Sequence, residues 1–441
     1  MREISSRTWR RLLRAPMLGL LVAPVAVAEI AAPPPMWGLE TTAAENATDD
    51  PAMRQFQAGA DALRIGDLDA AQEAFSESSR LNPRMPQPLV GQADVEQRRG
   101  HNEAAKKLLD QALELAPRDA AVLTARAAFA IRRQDYPAAE AELKKAVEAH
   151  PDDFRTRLAL AELYADFAGR PTDAAAAYRE ALRIDPAHAQ ARHSLGMALA
   201  ATGQFKAAEA QLRKSAELAP TVPVPVHALG RLLLRQGQVD AGLASLDAAL
   251  KIDPHFAPAL LDKGDVSLAQ GKTDAALAFY EQATVAEPRS AVAQFKRGAA
   301  LQVLARQSDA TQAYLAALEL DPNLAPALNN LAWLAIGSGA QLDMAATRAA
   351  RAVELAPDNA GFRDTLGWVY RAQRKWTEAE TVLEKAASMK PPMASVKYHL
   401  GVVYLDQKKL DMARRAFAEA LAIDPEHAQS KAALQQIEKE S

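Results

Sequence analysis

The amino-acid sequence predicts an all-α fold, a right-handed superhelical solenoid of about eleven helix-turn-helix repeats with a C-terminal capping helix. Three observations carry this: a proline beat of near-constant period, small residues at fixed offsets from it, and an apolar content poor in aromatics. The prolines are Pro83, Pro117, Pro151, Pro186, Pro220, Pro254, Pro288, Pro322, Pro357, Pro391 and Pro425, spaced by 34 residues with two gaps of 35. Proline cannot continue a helix and restricts the residue before it, so each marks the stop after a second helix, in phrases such as "ALRIDP" and "ALELDP". Self-similarity at this period signals a repeat architecture whose units cannot bury their apolar faces alone. Hydrophobic residues make up 49% of the 441 residues and aromatics only 5%, a balance that suits helices.

Each helix of the hairpin is justified by where its small and large residues fall. In the first helix, ten residues after the proline, stands Gly or Ala: Gly196, Gly230, Gly264, Gly298, Gly367 and Gly401, with Ala93, Ala127, Ala161 and Ala332 elsewhere. In the second helix a small residue stands twelve before the proline, from Ala71 through Gly242 to Ala413, and Ala or Ser stands five before it. Between those two, eight before the proline, comes a larger residue such as Phe75, Tyr178, Tyr280, Tyr314 or Phe417. Small residues let paired helices approach, and the large one fills the gap beside them. A Gly inside a helix costs about 1 kcal/mol against Ala, which such a contact offsets. The two 35-residue repeats place their extra residue near "FAGRPT" and "IGSGAQL", where a turn between helices absorbs it.

These offsets resemble the tetratricopeptide repeat family, whose pattern is L-G-x2-Y, then A-x3-F, then P. "LGWVY" with Ala379, Leu383 and Pro391 fits it, as does "LGVVY" with Ala413, Phe417 and Pro425. The resemblance spans about residues 52–425; the tryptophan that often opens the first helix is missing, and the second and third repeats lack the Leu-Gly pair. It implies a concave groove, lined by first helices, in which protein or peptide segments bind.

The ends differ from the repeats. Residues 1–28 carry Arg2, Arg7, Arg10, Arg11 and Arg14 against Glu3, then the apolar run "APMLGLLVAPVAVA" ending in Ala26-Val27-Ala28. That run is too short to span a bilayer and ends in the small-x-small pattern of a cleavable secretory signal. The expectation is a periplasmic or secreted protein with no stable membrane anchor after cleavage. Residues 29–51 read as a Pro-rich acidic disordered linker, residues 52–425 as the solenoid. Residues 426–441 read as the capping helix, with Leu434 and Ile437 on one side and a polar outer face.

No catalytic chemistry is visible, and no enzyme is expected. Gly271-Lys272-Thr273 looks like the end of a phosphate-binding loop, but Val266 stands where its first glycine belongs, and Gly203, Gly237 and Gly271 share one repeat offset. His193 and His227, 34 apart on neighbouring first helices, lack a third ligand for a metal. No cofactor is implied. A net charge of −3 offers nothing to nucleic acid, and the absence of cysteine excludes disulfides.

The candidate partner-binding residues are Asp364, Trp368 and Arg371, on one face at i, i+4 and i+7, with Asn329 and Trp333 in the repeat before and Tyr398 in the repeat after. Elsewhere the groove offsets hold mostly small or aliphatic residues, such as Ala60, Ala128 and Leu261. An exposed aromatic cluster edged by Arg, Asn and Asp has the composition of a binding hot spot, so removing the Trp368 ring is expected to spare stability. The functional expectation is a non-catalytic adaptor or scaffold for protein partners in envelope or exopolysaccharide assembly. The alternatives are a self-assembling homo-oligomeric scaffold and an accessory subunit of an envelope enzyme.

Overall fold

The computed structural model describes residues 50–440. The expected signal and residues 29–49 of the expected linker lie outside the described residues. Among the described residues there are 23 helices and no strand, and these residues divide into two compact units, 50–252 and 253–440.

The first unit stacks six hairpins: α1 (Pro51–Arg64) with α2 (Leu68–Leu81), α3 (Gln87–Arg98) with α4 (Asn102–Leu115), α5 (Ala120–Arg132) with α6 (Tyr136–Ala149), α7 (Phe154–Glu162) with α8 (Pro171–Ile184), α9 (Ala189–Ala201) with α10 (Phe205–Leu218), and α11 (Pro223–Arg235) with α12 (Val239–Ile252). The second unit stacks five: α13 (Ala257–Ala269) with α14 (Thr273–Ala286), α15 (Ala291–Val303) with α16 (Gln307–Leu320), α17 (Ala325–Ser338) with α18 (Leu342–Leu355), α19 (Ala360–Ala372) with α20 (Trp376–Ala387), and α21 (Ala394–Asp406) with α22 (Leu410–Ile423). A last helix, α23 (Ala428–Glu440), packs on α22. Within each unit the second helix of a hairpin also packs on the first helix of the next, so the apolar core runs along the stack.

The repeated "IDP" and "LDP" phrases have a local cause. At the end of α8, the Asp185 carboxylate accepts the Ala187 N–H at 3.0 Å and holds the turn that Pro186 makes obligatory. Asp253, Asp321 and Asp424 do the same for the residue two positions on. Side chains then cap several first helices, as Asp119, Ser290 and Asn359 do. Where a serine replaces the small residue five before the proline, its buried hydroxyl is satisfied: Ser78 Oγ donates to Ala52 O at 2.7 Å and Ser215 Oγ to Ala189 O at 2.8 Å.

The close-contact offsets are buried as the sequence predicts. An added Cβ at Gly367 would lie 2.5 Å from Leu383 Cγ, and one at Gly401 would lie 2.6 Å from Phe417 Cε1. The extra residues of the two longer repeats are absorbed differently. In the "IGSGAQL" repeat the first helix lengthens to 14 residues, Ala325–Ser338, and its three-residue turn, with Gly339 and Gln341 both left-handed, is no longer than in the repeat before, so the expected turn insertion is corrected there. In the "FAGRPT" repeat the first helix itself widens into a π-turn, Leu163–Phe167, so the expected turn insertion is corrected to a helix bulge. That bulge follows Glu162, whose carboxyl burial and neighbouring Asp166 push up to about 7.

The register has a direct test. Ala276 is fully buried while Lys272 is exposed at the start of the same hairpin helix. Ala276→Leu should destabilise by about 1–3 kcal/mol and Lys272→Leu by under about 0.5 kcal/mol in urea unfolding. Equal effects at both sites would contradict the packing.

Candidate functional site

The predicted site residues all fall in the second unit, on the first helices α17, α19 and α21 of three consecutive hairpins. Their rings meet at a residue that the sequence reading did not single out, His399 on α21. Trp368 stacks on the His399 ring with centroids 4.1 Å apart and planes at 26°. Trp333 lies 6.2 Å and Tyr398 5.6 Å from the same ring, both tilted. His399 Nδ1 lies 2.8 Å from each oxygen of Asp364, and since an ionised carboxylate can only accept, Nδ1 donates. One imidazole therefore ties α19 to α21 by a charge-assisted hydrogen bond and ring contact at once.

Two of the predicted edge residues are not at the surface. Asn329 is only 4% exposed and Asp364 only 6%. The expectation of an exposed polar rim is corrected for both: Asp364 is consumed by His399, and Asn329 Nδ2 donates to Asn330 Oδ1 at 3.2 Å. Asn329 Oδ1 has no hydrogen-bond partner in the chain. Behind it, Asn330 Nδ2 donates to the Tyr314 hydroxyl at 3.0 Å, which donates to Gln302 Oε1 at 2.7 Å. Trp333, Trp368, Arg371 and Tyr398 are half-buried. The Arg371 guanidinium lies 4.4 Å from the Trp368 ring centroid, and its Nε donates to Asp406 Oδ2 at 2.6 Å. Arg371 is thus anchored across to α21 rather than presented free to a partner.

His193 and His227, in the first unit, are both 9% exposed and so largely buried. Burial foremost, and His227 beside it, push His193 down to about 4, which holds it neutral at physiological pH. His193 Nδ1 has no hydrogen-bond partner in the chain. It occupies the same repeat offset as Asn329, seven residues after the proline. No group of three or more metal-ligating side chains occurs among the described residues.

Stacked hairpins with a close-contact seam and a variable inner face define a helical-repeat protein. Tetratricopeptide repeat models match residues 90–154, 130–167, 227–291, 261–325 and 365–428, and a second such model matches 168–231. The chain belongs to the tetratricopeptide repeat family, whose members generally act as scaffolds or adaptors in protein–protein interaction. No curated protein sequence matches it. Among solved structures, it is similar to the hetero-tetramer Cut9–Hcn1 of the APC/C (17% identity, 88% of this chain and 96% of that one, TM-score 0.49). It is also similar to yeast Tom70 (16%, 89% and 96%, TM-score 0.41) and to YrrB, described as having an unusual peptide-binding site (23%, 43% and 97%, TM-score 0.37). These likenesses carry no functional argument.

The stacking changes what removal of the central ring does. Trp368→Ala strips one face of His399 and the rest of Arg371, so it should destabilise by about 1–3 kcal/mol rather than leave stability unchanged. Urea unfolding followed by circular dichroism measures this, and a midpoint equal to that of the parent would return Trp368 to the role of a free surface ring.

Proposed function

We propose that the chain is an exported, non-catalytic adaptor that holds protein or peptide segments against the inner face of its second unit. The observation that carries this reading is the row Trp333, Trp368 and Tyr398, half-buried rings from three consecutive first helices. Rings that are already fixed by neighbours lose little freedom on binding, which is how aromatic anchors contribute most of the energy of an interface.

Export rests on residues 1–28, with their basic start, apolar run and Ala26-Val27-Ala28 ending. A periplasmic or secreted location follows from that reading, while a place in envelope or exopolysaccharide assembly rests on the family resemblance alone. Among the described residues, no helix is long and apolar enough to cross a membrane. Mass spectrometry of the native protein should give Glu29 as the first residue; residues 1–28 retained in a cytosolic fraction would overturn export.

The binding reading is tested by crosslinking the chain in its native envelope and measuring the captured partner against variants. Trp333→Ala should weaken binding by about 2 kcal/mol or more while changing stability less than Trp368→Ala does, because its ring is farther from His399. Unchanged affinity for Trp333→Ala and Tyr398→Ala together would place the binding face elsewhere. Light scattering across a concentration series separates the adaptor from a self-assembling scaffold, which alone would grow with concentration.

A further inference from the structure

We propose that His427 makes the terminal helix α23 a cap that mild acid releases from the last repeat. His427 precedes the first residue of α23, Ala428, and its carbonyl accepts the Lys431 N–H at 3.2 Å, the first turn of that helix. Its side chain is the helix cap: Nδ1 accepts the Ser430 N–H at 3.3 Å and lies 2.9 Å from Ser430 Oγ. A backbone amide can only donate, so Nδ1 must be the unprotonated nitrogen. Protonation turns this acceptor into a donor facing the amide. It also places a positive charge at the positive end of the helix dipole. Both effects oppose the helix, and both come from one proton.

The surroundings leave the cap poorly compensated. From α21 the Tyr398 ring lies 5.4 Å from the His427 ring, and His399, held by Asp364 of α19, stands beyond it. The preceding turn supplies Asp424, and Glu426 is engaged by Lys431 at 3.2 Å. From α22 comes Glu419, which Lys397 of α21 engages at 2.6 Å. Burial foremost lowers the proton affinity of His427; Asp424 raises it and His399 lowers it further. The sign follows: the folded pKa lies below the usual 6.5, so the unfolded helix binds the proton more readily. The contribution of the cap is complete above about pH 6.5 and is lost as pH falls from there through the folded pKa.

The position of α23 makes the loss consequential. His188 caps α9 in the same way, with Nδ1 accepting the Ala191 N–H at 3.1 Å, but α9 has helices packed on both sides. No helix follows α23 among the described residues, and its apolar hold is Ile437 with half-buried Ala433 and Leu434 on the cluster that contains Phe417 and Tyr398. Release would uncover that end face. The inference does not depend on the groove being a binding site.

Amide hydrogen exchange of residues 428–440 in the full chain, corrected for intrinsic rates, tests it. Protection should fall about five- to tenfold between pH 7.5 and 5, the size of one lost helix cap, with a midpoint below about 6.5. His427→Asn keeps a side-chain acceptor at every pH and should hold protection flat across that range. A flat profile in the parent, or an equal fall in His427→Asn, would overturn the proposal. If that variant misfolds, ¹⁵N shifts of the parent decide: His427 must carry its proton on Nε2 at pH 8, and an Nδ1–H tautomer would sink the cap.

Discussion

The close approach of the two helices in each hairpin is the contact on which everything else depends. A small residue in the first helix faces a large one in the second, as Gly367 faces Leu383 and Gly401 faces Phe417. Neither side works alone: the glycine weakens its own helix, and the large side chain would be half-exposed without a backbone to lie against. Because the hairpin seam uses one stripe of each helix, the opposite stripe must find the next hairpin, and stability becomes a sum over neighbours. The prolines and their Asx turns then only have to end each second helix at the same residue.

With packing assigned to a few offsets, the inner stripe of the first helices is left to carry polar chemistry, and it does so between repeats. Lys296 Nζ donates to both oxygens of Asp265 at 2.7 Å, and the Tyr280 hydroxyl donates to the same carboxylate at 2.7 Å. His399 meets Asp364 across the corresponding step three hairpins along. Burying a charge is expensive unless it is paired and hydrogen-bonded, so each such residue needs its partner one repeat away. Asn329 Oδ1 and His193 Nδ1 are among the buried atoms that have no such partner in the chain.

The fold was legible in the sequence because its rule repeats: eleven prolines with fixed companions overdetermine the hairpin. Three of the site rings were legible for the same reason, since Trp333 and Trp368 share an offset and Tyr398 sits at the inner offset of the next repeat. His399 was not. Its offset holds Thr365 and Asn330 in the preceding repeats, and its contact with Asp364 depends on how far adjacent hairpins rotate, which no intra-helix spacing reveals. The same gap explains Asn329 and Asp364, read as a rim and found buried. The π-turn after Glu162 was missed because a one-residue excess can be taken up by a helix as well as by a turn.

In a repeat protein, information about function therefore lies in departures from the repeat rather than in the repeat. Most first helices that carry a side-chain cap use Asp, Asn or Ser, groups whose capping oxygen does not titrate near neutrality; His188 and His427 depart from that, and only His427 caps a helix after which no other helix packs among the described residues. Most inner offsets are small or aliphatic, and the aromatic departures converge on one imidazole. Departures that cost local stability persist where something else is gained. Tyr398 touches both the His399 ring and the His427 ring, so the aromatic row and the terminal cap share a side chain. A change at either end of that contact would be felt at the other through packing alone, with no rearrangement of the hairpins between them.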